Sequence, residues 1–391
     1  MPDTCSYLDN NATTQVAPEV FEAMRPYLES AYGNPSSIYA MAGEAKRALD
    51  AAREHVAALV NADPDEILFT GSGTEADNTA IMSALARQGR DARMITSRVE
   101  HPAVLNLAAR LREEGRPVVE LPVDAAGLLD LDEVKHEFAR GARLVSVMWA
   151  NNETGVLFPI GEIVQLAKAQ GVLVHTDAVQ AAGKISIDVK SVPVDYLAMS
   201  GHKLHAPKGV GALYVRRGAP FRPLLIGGHQ EEGRRGGTEN VASIVGMGEA
   251  ARLALAHLDD ESTRVRALRD RLEAGLLKDC PGAKLNGHPQ QRLPNTTNVS
   301  FDYVEGEAIL LLLDRAGICA SSGSACSTGS LEPSHVLRAM NVPYMSAHGA
   351  TRFSLSRFST DADVDRALEA TPRIIKRLRE LSPFGREELA R

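Results

Sequence analysis

The chain has 391 residues, 44% hydrophobic and 24% charged, a balance that excludes an extended disordered chain, a collagen-like repeat or a coiled-coil rod. Its 43 Lys and Arg against 50 Asp and Glu leave a formal charge of −7, which disfavours a nonspecific grip on nucleic-acid phosphates or anionic lipid. The longest aliphatic run, Ala308 to Leu313, is far short of the roughly 20 apolar residues that cross a bilayer, so no membrane span is expected.

Taken in chain order, the start Met1-Pro2-Asp3-Thr4-Cys5 has no basic region followed by an apolar stretch, which points to the cytoplasm. The four cysteines, Cys5, Cys280, Cys319 and Cys326, are too few for a disulfide framework and are expected as thiols. None forms a CxxC pair, and no metal site is expected. Between residues 60 and 240, short apolar runs alternate with amphipathic segments. The predicted strands are Glu66–Thr70, Arg93–Ser97, Pro117–Leu121, Leu144–Trp149, Val172–Thr176, Tyr196–Ser200 and Gly211–Val215. Apolar strands separated by helix-length segments predict a mainly parallel sheet sandwiched by helices, with its ligand at the carboxyl ends of the strands.

A long helix is predicted from Gly248 to about Leu277, then a smaller C-terminal α/β region. That region holds a strand over Asn298–Phe301, a helix over Glu305–Ala316, a Ser/Gly-rich stretch over Ser321–Gly329, a strand over Thr351–Ser354 and a helix over Asp363–Leu381. The expected division is a large domain over 15–255 and a small domain over 256–391, with the N-terminal segment 1–14 packing alongside.

Three places along the first region carry chemistry. Ile67 to Asn78 reads as a strand, a turn Gly71-Ser72-Gly73-Thr74 and the start of a helix; exposed amides, two glycines and hydroxyls make a cradle for an anion. The same letters also describe a plain strand-to-helix turn capped by Thr74. Asp177 ends an apolar strand with Gln180 three residues on, placed to hold a protonated ring nitrogen or merely to cap the next helix. Lys203 follows a strand end beside Ser200 and His202, and reads as either a Schiff-base lysine or part of a basic surface turn. One ligand answers all three at once: pyridoxal 5′-phosphate has a phosphate for the cradle, a pyridinium for Asp177 and an aldehyde for Lys203.

Tyr7 to Thr14, Gly33 to Ser37, Gly71 to Asn78, Glu100-His101-Pro102, Asn151 to Gly155, Ser200 to Lys203, Gly236 to Asn240 and Ser321 to Cys326 together resemble the cysteine desulfurases of the class V aminotransferase superfamily. These motifs span nearly the whole chain. Met148 to Asn152, Lys203 to Lys208 and Phe221 to Leu225 look most like the NifS-type branch.

The resemblance implies a fold-type-I pyridoxal-phosphate enzyme, a homodimer that turns L-cysteine into alanine. Lys203 would carry the cofactor and move protons at the substrate Cα. Gly73, Thr74, Ser200 and His202 would hold the phosphate, joined by Thr238 from a second subunit. Asp177 would pair with the ring nitrogen, Gln180 with the phenolic oxygen, and His101 would stack on the ring. Asn152 and Arg352 would hold the substrate carboxylate, and Cys326 would take the sulfur as a persulfide. The resemblance also implies an iron–sulfur scaffold of the NifU type as acceptor, supplying nitrogenase clusters. Within the same fold, a selenocysteine lyase or a small-amino-acid transaminase are the alternatives. A non-catalytic sulfur carrier using Cys326 and Cys319 is the reading from another class. Cys319, on an apolar strand, is expected in the core, and Cys5 has no assigned role.

Overall fold

The structure is a computed structural model, and it describes residues 5–86, 88–322 and 333–382. Among these the strands in chain order are Ser6–Tyr7 (β1), Ile67–Thr70 (β2), Arg93–Ser97 (β3), Val118–Leu121 (β4), Ala142–Ser146 (β5), Leu173–Asp177 (β6), Tyr196–Ser200 (β7), Gly211–Val215 (β8), Ala283–Leu285 (β9), Thr296–Phe301 (β10), Ile318–Cys319 (β11) and Ala350–Ser354 (β12). The long helices up to residue 256 are Pro18–Glu29 (α1), Ala40–Leu59 (α2), Gly73–Leu85 (α3), Pro102–Glu113 (α4), Leu131–Ala139 (α5), Ile160–Gln170 (α6) and Val241–Ala256 (α7).

Seven strands form one sheet in the order β2-β8-β7-β6-β5-β3-β4, parallel throughout except for β8, which runs against both of its neighbours. Because β8 is flanked by β2 and β7, those two point the same way as the rest, so six of the seven strands end on one edge. Side chains alternate across the sheet. Ile67, Phe69, Val145, Val174, Leu197 and Met199 face a core shared with α1, α2, α5, α6 and α7, whereas Leu68, Met94, Leu144, Tyr196 and Ala198 face α3 and α4. Burying both faces explains why these strands read as continuous apolar runs, each Leu, Ile or Val contributing roughly 1.5–3 kcal/mol.

The single helix expected from Gly248 to Leu277 is instead two. α7 ends at Ala256, and a second helical stretch over Leu258–Asp279, with a π turn at Glu261–Val265 inside it, runs at 55° to the first. The reason is that the two halves serve different cores. Ile244, Met247 and Ala251 pack on the large sheet, while Val265, Leu268, Leu272 and Leu276 join a second core with Val299, Phe301, Phe353 and Leu8. One straight rod cannot face both, and the change of direction falls at His257, whose φ of −106° and ψ of 10° leave the helical region. The second core lies on an antiparallel sheet in the order β12-β10-β9. No single helix among the described residues is long and apolar enough to cross a membrane.

The N-terminal segment ties the regions together. β1 pairs in parallel with β11, Asp9 bridges to Ser354 on β12, and the main-chain amide of Thr14 donates to the carbonyl of His202 at 3.0 Å. Cys319 departs from its expected place in the core. In the two-residue β11, Ile318 takes the inward face, and Cys319 is left half-exposed with its Sγ 3.4 Å from that of Cys5.

Candidate active site

The carboxyl ends of β2, β3, β5, β6 and β7 open into a cavity of about 400 Å³. β2 leads through Gly71-Ser72 into α3. Ser72, not Thr74, is the N-cap, its hydroxyl accepting from the Glu75 amide at 3.1 Å, so Thr74 stands in the first helical turn and lines the cavity. Gly73 is where this turn meets β7. A Cβ built there would lie 3.0 Å from Val179 Cγ2 and 3.2 Å from Ser200 Cβ, so any larger residue would have to push these neighbours back by a few tenths of an ångström. The helix N-terminus, Thr74 and Ser200 thus converge on one corner of the cavity, a seat suited to a phosphate.

Asp177 closes β6, and its carboxylate accepts from the Val179 amide at 2.9 Å. Burial raises its pKa, opposed by His101, that amide and Lys203. Behind it, burial and the charges of Asp177 and Glu100 hold Asp77 well above the usual carboxylate range. Asp77 Oδ1 lies 3.4 Å from His175 Nε2, and His175 Nδ1 lies 2.8 Å from Ser146 Oγ; burial lowers His175 to about 3, so this ring is neutral. Glu100, fully buried, is pushed up to about 8 by desolvation while its carboxylate accepts from Ser97 Oγ and the Met148 amide. So many buried acids beside one cavity make an environment that favours an incoming cation, the requirement of a protonated ring nitrogen.

His101 does two things at once. It is the N-cap of α4, with Nδ1 accepting from the Ala103 amide at 3.1 Å, and its ring lines the cavity. Burial lowers its pKa, so the ring is neutral, with its proton on Nε2. His202 is likewise lowered, to about 4, by burial and by the neighbouring Lys203. Lys203 follows β7 in a short 3-10 turn, and its Nζ donates to the main-chain carbonyls of Asn11 at 2.5 Å and Ala12 at 2.8 Å.

Arg352 comes from the other sheet. It sits on β12 at 2% exposure, donating from Nη2 to Asp9 Oδ1 at 2.7 Å and from Nη1 to the Asn152 carbonyl at 2.9 Å. Among the described residues neither its Nε nor Gln180 Oε1 has a hydrogen-bond partner, although both atoms are buried. Unsatisfied polar atoms around a cavity, a glycine-sized gap in the cradle and a cation-seeking acid cluster fit pyridoxal 5′-phosphate and an amino-acid carboxylate.

Gly73, Thr74, His101, Asn152, Asp177, Gln180, Ser200, His202, Lys203 and Arg352 all line this one cavity. Thr238 does not; it is exposed, three residues beyond Arg235. Cys326 lies outside the described residues. Sequence reasoning gave no role to Asp9, Asn11, Asp77 or His335, of which the last three line the cavity and the first pairs with Arg352. The signal for Asp9 and Asn11 was present in the Tyr7 to Thr14 motif, but a motif shows which residues recur and not what they touch.

Residues 6–367 match the family model described as aminotransferase class-V. Cysteine desulfurase of Trichormus azollae is 57% identical over 382 residues, covering 98% of this chain and 96% of the relative. Cysteine desulfurase NifS of Azotobacter vinelandii is 56% identical, covering 97% and 94%. A solved NifS-like protein superposes with a TM-score of 0.90 at 38% identity, covering 96% of this chain and all of that one.

Proposed function

From the premise that the chain belongs to the aminotransferase class-V family, and is a pyridoxal 5′-phosphate-dependent cysteine desulfurase with a fold-type-I architecture, we propose how its residues share the work. Bound pyridoxal 5′-phosphate supplies an electron-withdrawing ring that stabilises the electron pair left when the substrate loses its Cα proton.

The first turn of α3, with Gly73, Thr74, Ser200 and His202, holds the phosphate, and Thr238 of a second copy completes that seat in a homodimer. Asp177 keeps the ring nitrogen protonated, Gln180 faces the phenolic oxygen, and neutral His101 covers the ring. Arg352 and Asn152 fix the carboxylate of L-cysteine. Lys203 carries the cofactor and moves the proton at Cα. The thiolate of Cys326 attacks the substrate sulfur, forming an S–S bond as the C–S bond breaks, so that alanine leaves and a persulfide stays on the chain. The observation that carries this reading is the convergence of ten such residues, from five strand ends and a second sheet, on a single cavity.

The persulfide is the sulfur source for iron–sulfur cluster assembly, with a NifU-type scaffold as acceptor and nitrogenase as its destination. The chain works in the cytoplasm, its cofactor domain spanning 15–255 and its small domain 256–391. Incubation of the loaded protein with L-cysteine should yield alanine, with sulfide released when a reductant is added. Cys326→Ala should lose roughly 10²-fold or more of that rate. Sulfide release by the variant at the wild-type rate would exclude the persulfide step, and a selenocysteine lyase would be silent with L-cysteine.

A further inference from the structure

Lys203 must serve in two states, linked to the cofactor and free, and the free amine needs a place to stand. In the structure its Nζ lies between two main-chain carbonyls of the N-terminal segment, Asn11 at 2.5 Å and Ala12 at 2.8 Å. Carbonyl oxygens only accept, so a pair of them favours the ammonium over the neutral amine. The position of these carbonyls is set by the Asn11 side chain, which is 1% exposed. Its Nδ2 donates to the Asn152 carbonyl at 3.2 Å and to Thr296 Oγ1 at 2.8 Å; its Oδ1 accepts from Asn295 Nδ2 at 3.1 Å; its main-chain amide donates to Ser354 Oγ at 2.9 Å. The same Asn11 carbonyl that faces Lys203 also takes Gln180 Nε2 at 3.0 Å, and the same Asn152 carbonyl takes Arg352 Nη1.

We propose that the carbonyls of Asn11 and Ala12 form the docking point of the free Lys203 ammonium, with Asn11 as the positioning residue that pins it to β10 and β12. The dock holds the proton that Lys203 takes from the substrate. Because Asn11 also touches the carbonyl that steadies Arg352, it sets the distance between the lysine and the carboxylate-binding guanidinium. The inference rests on the reading of Lys203 in the preceding section.

The test is the acetylation of Lys203 by acetic anhydride in the full chain prepared without cofactor, followed by mass spectrometry against exposed Lys376 as internal standard. Asn11→Ala should label Lys203 roughly 10-fold faster at pH 8, the equivalent of one lost charge-assisted hydrogen bond, and its rate profile should move to lower pH. Thr296→Val removes one anchor of the Asn11 amide and should shift the profile the same way by less, so it decides the matter if Asn11→Ala fails to fold. In the loaded protein, Asn11→Ala should lower kcat more than it raises KM for L-cysteine. Labelling at the wild-type rate overturns the proposal, and so does a faster rate at every pH with no shift in the profile, which would mean access alone had changed. Borohydride that traps cofactor mass on wild-type Lys203 together with unchanged labelling sinks only the dock. No trapped mass there sinks the reading of the site as well.

Discussion

The cavity has two walls of different construction. The cofactor wall is made from strand ends: Thr74 after β2, His101 after β3, Asp177 at the end of β6 and Lys203 after β7, each entering through a turn at one edge of a parallel sheet. The substrate wall is made from a strand interior. Arg352 is the third residue of β12, almost fully buried and already paired with Asp9 of the N-terminal segment. A strand end presents backbone amides and short side chains to a rigid cofactor. A strand interior delivers one long side chain whose charge must be neutralised before it can be buried. The difference teaches that the cavity is a joint between two sheets; on the proposed assignment the cofactor would belong to one and the substrate carboxylate to the other.

Separate walls should fail separately. Asp177→Asn removes the charge proposed to pair with the ring nitrogen, and should weaken cofactor binding by roughly 10–100-fold in a titration, with KM for L-cysteine little changed once the protein is saturated. Asp9→Asn should do the reverse, raising KM roughly 10-fold as Arg352 loses its alignment while cofactor affinity stays within about twofold. If both variants moved both constants together, the two walls would be one unit and the comparison would break.

A third expected effect concerns the backing of the cofactor wall and is read in stability. Glu100 is raised from 4.5 to about 8 in the folded chain by burial. The folded state therefore holds a proton that the unfolded state has released, and stability falls as the pH rises from about 4.5 through about 8. Glu100→Gln cannot ionise, so its melting temperature should be flatter than the wild type's across that window. Parallel melting curves for the two proteins would show that Glu100 is ionised when folded.

Much of the cofactor wall was legible in the sequence, because a strand followed by Gly, Asp or Lys is a local pattern and local chemistry fixes it. The strands Arg93–Ser97, Tyr196–Ser200 and Gly211–Val215 fall where alternation and turn residues predict them. The break near His257 was not legible, since Gly248 to Leu277 keeps helix-forming letters throughout and only the two cores on either side decide where it bends. Cys319 was misread for a similar reason: an apolar neighbourhood along the chain does not say which of two faces of a short edge strand is covered.

By itself the sequence determined the order of cradle, acid and lysine, the alternation that makes a sheet buried on both faces, and the residue types able to hold a phosphate, a pyridinium and a carboxylate. Only the tertiary structure decided that Asp9 meets Arg352 across 343 residues and that the carbonyls of Asn11 and Ala12 face Lys203 across more than 190. Periodicity and capping act within a few residues of chain. A main-chain carbonyl carries no letter of its own, so which cation it serves emerges only when packing brings distant segments together.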